Sequence, residues 1–165
     1  CRCEVSRRGF LKSTGGAAAL GGLSFLTHPE RVFGANDRVR IAIVGLHGQG
    51  WSHVEEYKKI PGVQIAAFCD VDENVLNKRL ADAAKLGIPK PATFIDLRTL
   101  LEDKSIDAVS IATTDHTHAL FSIWSMQAGK HVYVEKPVTH NIFEGRKMVE
   151  AARKYKRVCQ AATSR

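Results

Sequence analysis

"VRIAIVGLHGQG", residues 39–50, decides the fold. An unbroken apolar run passes straight into a glycine-rich loop, as a buried parallel strand does where it hands over to a helix in an α/β domain. The usual loop spacing is G-x-G-x-x-G. Here Gly45 and Gly50 hold the outer positions, His47 stands at the middle one, and Gly48 follows it. Gly45 permits a tight turn, and Gly50 opens the next helix and lets it pack close to the sheet. His47 puts a side chain where a phosphate would approach the backbone, and a turn shifted onto Gly48 would restore that freedom. The N-terminus of the following helix would then present unpaired N–H groups to a pyrophosphate.

Outward from this loop the pattern repeats. "VQIAAFC" (63–69), "AVSIAT" (108–113), "HVYVE" (131–135) and "VCQAA" (158–162) read as strands buried on both faces, separated by helical patterns. Strands alternating with helices imply right-handed crossovers and a Rossmann-like, doubly wound parallel sheet, with its ligand beyond the carboxyl ends of the strands. Asp72 is placed to cap a helix carrying Leu76, Leu80 and Ala83 on one face, stopped by Gly87 and Pro89. Asn141 with Glu144 predicts a capping box for a helix bearing Phe143, Val149 and Ala152. "HALFSIWSMQAG" (118–129) is apolar nearly all round and predicts a buried helix ending at Gly129.

Asp70 ends the second apolar run, about twenty residues beyond the glycine loop, where a carboxylate receives the adenosine ribose hydroxyls of a dinucleotide. It would repel a 2′-phosphate, and no Arg follows it directly, so NAD is favoured over NADP. Asp70 and Asp72 also read as plain turn and cap residues, and the two roles coexist.

At 165 residues the chain has room for one domain with a core. The net charge of +7 raises nucleic acid as a partner, but the Lys and Arg residues are dispersed. Arg7, Arg8 and Lys12 lie near the start, "RKMVEAARKYKR" (146–157) reads as the solvated face of a helix, and no aromatic residues interleave. Nucleic-acid binding is therefore not expected. Cys1, Cys3, Cys69 and Cys159 form neither a disulfide framework nor a C-x-x-C pair and read as free thiols.

Residues 1–35 read as a leader and 36–165 as the folded domain. "SRRGFLKSTGGAAALGGLSFL" (6–26) pairs two arginines with a Gly/Ala-rich apolar run too short to span a bilayer stably. It resembles a twin-arginine (Tat) signal, through Ser6, Arg7, Arg8, Phe10, Leu11 and Lys12. That resemblance implies the Tat machinery as a partner and export to the periplasm of an already folded, cofactor-loaded protein. "VFGA" (32–35) is not a clean A-x-A cleavage site, and an uncleaved leader would act as a membrane anchor.

"YVEKP" (133–137) ends another strand at the same edge of the sheet. Alternation sends Glu135 and Lys136 to opposite sides, and Pro137 biases Lys136 toward an extended backbone. A lysine acting as acid/base needs its pKa lowered from about 10.4, which burial and a neighbouring cation can do. Read bare, Lys136 is a solvated charge. His116 and His118 form an H-x-H pair with no third ligand at metal-site spacing, and read as loop residues; no metal is expected. His53 and His131 read as surface or packing residues.

Taken together, "VGLHGQG", "CDVD", "ATTDHTH" and "VEKP" resemble the cofactor domain of the glucose-fructose oxidoreductase and inositol dehydrogenase (Gfo/Idh/MocA) family over residues 38–165. The resemblance implies Lys136 as the acid/base beside a nicotinamide, Glu135 lining the same site, and Thr113 and His118 in the cofactor loop. Thr114 stands where the family pattern has proline. In that family a second domain follows and carries substrate contacts, including a catalytic Asp and a His four residues later. The expectation is therefore the N-terminal part of an exported NAD-dependent oxidoreductase for a sugar, cyclitol or polyol, inactive without that domain. Some Tat-exported members cleave glycosides by transient oxidation, which stays open as an alternative. The other alternative is a non-catalytic nucleotide-binding module that associates, as a homo-oligomer or with other subunits, through an exposed sheet edge.

Overall fold

The apolar runs become strands at nearly the expected limits. The computed structural model describes residues 38–163. The leader, Cys1, Cys3 and the domain start at residue 36 lie outside the described residues. The elements are β1 (Val39–Val44), α1 (Gly48–Tyr57), β2 (Val63–Cys69), α2 (Glu73–Lys85), β3 (Ala92–Phe94), α3 (Leu97–Glu102), β4 (Ala108–Ile111), α4 (Asp115–Gln127), β5 (His131–Val134), α5 (Ile142–Tyr155) and β6 (Cys159–Ala161). All strand pairs are parallel, in the order β3-β2-β1-β4-β5-β6. The order reverses between β1 and β4, and the crevice at that switch point is where such sheets bind ligands.

Side-chain alternation divides the core into two layers. Ile41 and Ile43 of β1 pack with Ile65, Phe68, Val54 and Leu76 on one face. Ala42 and Val44 pack with Val109, Ile111, Ala119 and Met126 on the other. Because both faces of each central strand are covered, the strands carry apolar residues continuously, which made them legible in the sequence.

Caps form where the sequence places them. Asp72 accepts from the Asn74 amide at 2.8 Å, and Asn141 accepts from the Glu144 amide at 2.9 Å. Glu144 reaches back to the His140 amide at 3.0 Å, one residue before the usual capping-box partner.

Four expectations change. The helix after the glycine loop begins at Gly48, with Gly50 inside its first turn. β3 and α3 leave no mark in the sequence, because a three-residue edge strand and a six-residue helix carry too few residues for a period. In α5 the buried residues are Met148 and Ala151, while Phe143 (68% exposed) and Val149 (50%) face outward. In α4 the buried positions include Ser122 and Ser125, and Leu120 is exposed. Small residues let α4 sit close to its neighbours, so its largest side chains are pushed to the flanks.

Candidate functional site

The outer two loop glycines are required by the fold itself. Gly45 has φ +84°, and a Cβ there would lie 2.5 Å from the Ala112 carbonyl oxygen. At Gly50 a Cβ would lie 1.7 Å from the Gly45 carbonyl oxygen. These contacts let α1 start hard against the ends of β1 and β4. The middle of the loop is different. His47 is exposed, has the ordinary extended backbone φ −72° and ψ 175°, and serves as N-cap of α1 without a side-chain hydrogen bond. A Cβ on Gly48 would meet nothing within 4 Å. Backbone geometry therefore accepts His47, and the open space lies over Gly48. No acidic residue occupies the first turn of α1, so its free amides face outward with their partial positive charge unopposed.

Beside this loop lies a cavity of about 490 Å3 at the carboxyl ends of β1, β2 and β4. Of the expected site residues, Gly45, His47, Asp70 and Thr113 line it. Its apolar side includes Val71, Ile95 and Phe121, which the sequence reading did not name. Asp70 is buried and organises the loop: its Oδ2 accepts from the Leu46 amide at 2.8 Å and its Oδ1 from the Asp72 amide at 3.1 Å. A carboxylate accepts about four hydrogen bonds, so capacity remains for hydroxyl donors in the cavity. Arg79 braces the same loop, donating from Nε to the Leu46 carbonyl at 3.0 Å while lying over Trp51.

Cys69 also lines the cavity, and burial, reinforced by the Asp70 and Asp96 carboxylates, pushes its thiol up to about 12. The thiolate is the reactive form, so native Cys69 should resist iodoacetamide at pH 8 and react only after unfolding. Peptide mass spectrometry before and after denaturant checks this.

Thr113 builds the loop after β4, whereas His116 and His118, expected as loop residues, lie in the first turns of α4. The Thr113 hydroxyl bonds to Thr117 Oγ1 at 2.7 Å, and Thr117 donates to the Thr114 carbonyl. His118, expected at the cofactor, is 2% exposed, with its ring nitrogens facing the carbonyls of Pro137 (Nδ1, 2.7 Å) and Thr113 (Nε2, 3.1 Å). A ring with one N–H donates to only one of these carbonyls, and buried between them it packs the Thr113 loop against the turn after Lys136. His116 is exposed and lies 3.7 Å from the Asp115 carboxylate, so the H-x-H pair diverges.

At the end of β5 the Lys136–Pro137 peptide is cis, and Lys136 is exposed. Glu135 is 5% exposed and does not line the cavity. Its Oε1 accepts from His53 Nε2 at 2.9 Å and from Gln49 Nε2 at 3.2 Å, and its Oε2 from the Lys136 amide at 3.1 Å. Burial alone would raise its pKa, but the hydrogen bonds from His53 and the Lys136 amide outweigh it and hold the carboxyl below its ordinary value. His53 is therefore neither a surface nor a simple packing residue, since its Nδ1 also meets Ser110 Oγ at 2.9 Å. The signal was present in the sequence: Gln49, His53 and Tyr57 recur every four residues along one stripe of α1. His131 accepts from the Val158 amide at 3.1 Å, a packing role.

Residues 39–163 match the family model described as "Oxidoreductase family, NAD-binding Rossmann fold" (GFO_IDH_MocA), and residues 4–24 match the twin-arginine translocation signal sequence. A glycosyl hydrolase family 109 protein of Shewanella baltica is 31% identical, over 94% of this chain and 39% of its own. The chain thus spans about two fifths of the length of the curated relatives it matches. Among solved structures, myo-inositol 2-dehydrogenase from Lactobacillus plantarum aligns with TM-score 0.67 and 28% identity, covering 76% of this chain and 36% of that one. GenD2 from gentamicin A biosynthesis, solved in complex with NAD, aligns with TM-score 0.68 and 27% identity, covering 76% and 34%.

Proposed function

The chain belongs to the Gfo/Idh/MocA oxidoreductase family and carries its NAD-binding Rossmann domain behind a twin-arginine export signal, and from this we propose that it is the cofactor-binding part of an exported NAD-dependent enzyme acting on a sugar, cyclitol or related polyol. Residues 1–35 are the leader and 36–165 the cofactor domain in this reading. The observation that carries it is the α1 N-terminus: uncapped by any side chain, free of acidic residues, open over Gly48, and entered from His47, which lines the same cavity as Asp70.

The residues fit a dinucleotide. The amides at Gly48 and beyond would hold the pyrophosphate, Asp70 the adenosine ribose, and Val71, Ile95 and Phe121 the flat apolar face of the adenine. His47 is exposed enough to move aside. A cofactor bound there would supply hydride-transfer chemistry. Lys136 then holds the substrate hydroxyl in line and takes or gives its proton, while Glu135 fixes the turn that carries Lys136. The Asp70 carboxylate, unable to accept a 2′-phosphate without like-charge repulsion, favours NAD over NADP.

Gly48→Ala separates binding from folding. Its Cβ meets nothing in the free protein, so the melting temperature should hold or rise slightly, while NAD affinity falls on the order of tenfold as the methyl enters the phosphate approach. Paired thermal melts and calorimetric titrations read the two effects.

A second reading rests on the relatives named as glycosyl hydrolase family 109: the same oxidation, made transient, would end in glycoside cleavage with the NAD restored. Titration with NAD and NADP tests the cofactor, and absence of NAD binding would overturn both readings. Incubation of the protein at the length of these relatives with polyols and aryl glycosides then separates them. Net formation of reduced nicotinamide supports the dehydrogenase, and glycoside cleavage without it supports the hydrolase.

A further inference from the structure

Beneath α1, on the sheet face shared by β4 and β5, lies a polar chain of which the proposed chemistry uses only Glu135. Ser110 and Tyr133 are register partners, and two residues on from Tyr133, Glu135 returns to the same face. His53 sits between them, 7% exposed, with Nε2 on Glu135 and Nδ1 on Ser110 Oγ, and its ring edge-on to Tyr57 and Tyr133. The Tyr57 hydroxyl donates to Ser110 Oγ at 3.3 Å. An ionised Glu135 only accepts, so Nε2 carries hydrogen. A neutral ring then accepts at Nδ1 from the Ser110 hydroxyl, which itself accepts from Tyr57. The chain Tyr57, Ser110, His53, Glu135 is satisfied along its length, and such networks fix one geometry.

The constellation of serine, histidine and carboxylate has the connectivity of a hydrolytic triad, but Ser110 is 0% exposed and no substrate reaches it. What the chain can do is hold Glu135. That carboxylate receives Gln49 and His53 from α1 and the Lys136 amide from the end of β5. We propose that His53 is a positioning residue that locks the phosphate-facing helix α1 to the Lys136 turn by holding the Glu135 carboxylate between them. This rests on the reading that the dinucleotide runs from α1 to Lys136. The adenosine and phosphate half meets only α1 and the cavity, whereas the nicotinamide half needs the Lys136 turn in register with them.

The test compares NAD with ADP-ribose, which lacks the nicotinamide, by calorimetric titration of the full chain. The unmodified protein should prefer NAD. His53→Ala should lose on the order of tenfold in NAD affinity, the scale of a charge-assisted hydrogen bond, with ADP-ribose affinity nearly unchanged. His53→Gln, which keeps a donor toward Glu135, should recover most of the preference. Glu135→Gln should reproduce the loss, and the double variant His53→Gln with Glu135→Gln should add little to it. These two glutamine variants carry the test if the alanine variant does not fold. Equal weakening of both ligands, or an NAD preference unchanged in the variants, overturns the positioning role. An unmodified protein that binds both ligands alike overturns it too, while leaving the NAD reading standing. Binding of neither overturns the NAD reading and this inference with it.

Discussion

Gly50→Ala should melt roughly 10 °C or more below the unmodified protein and lose its NAD site, a cost of about 3 kcal/mol or more. The new Cβ would stand 1.7 Å from the Gly45 carbonyl oxygen, and the obstacle is backbone. No rotamer relieves it, and the Gly45 carbonyl has little room to retreat. Gly45 already sits at φ +84°, and its amide is fixed to the Cys69 carbonyl at 2.8 Å. Relief requires α1 to lift from the sheet, which would separate Val54 from Ile41, Ile43 and Phe68 in the same core layer. Thermal and urea unfolding read the stability, and Gly48→Ala, two residues away on the same helix, is the matched control. A Gly50→Ala protein as stable as that control would refute the close approach of helix and loop.

Lys136→Ala should lower turnover by about 10²–10⁴-fold in the protein at the length of its relatives, with NAD affinity nearly unchanged. Lys136 is exposed at the end of β5, outside the 490 Å3 cavity, and its side chain carries no part of the Glu135 network, which uses only its backbone amide. Removing the ammonium therefore leaves the turn and the helix link in place while removing the group that would hold the substrate proton. The effect should fall on kcat rather than on cofactor binding, and the pH dependence of kcat should lose one limb. Steady-state kinetics with saturating NAD, beside calorimetry on the same variant, separates the two. Full turnover by Lys136→Ala would sink its assignment as the acid/base.

β1 and β2 were plain because strands covered on both faces need apolar residues at nearly every position. The flanking glycines were equally plain, because backbone collisions of 1.7 and 2.5 Å leave no other residue type there. The middle position tolerated His47 because nothing in the folded protein requires glycine at that backbone conformation, and only a ligand would press on it. α5 misled because Phe143 and Val149 are apolar but face outward, and apolar periodicity marks a stripe without saying what covers it. The motif alone points His118 at the cofactor, and only the fold shows its buried ring facing carbonyls of two different loops.

By itself the sequence determined the parallel α/β architecture, the position of the glycine loop and the lysine at the end of a later strand, since these follow from local periodicity and from steric limits within a few residues. Only the tertiary structure decided that Asp70 holds the loop it faces, that His118 is a brace, and that His53, Ser110 and Glu135 form one network. The links Asp70–Leu46, His118–Pro137 and His53–Glu135 span between 19 and 82 residues along the chain. Hydrogen bonds at such separations depend on the register of β4 against β5 and the seating of α1, which local pattern does not encode.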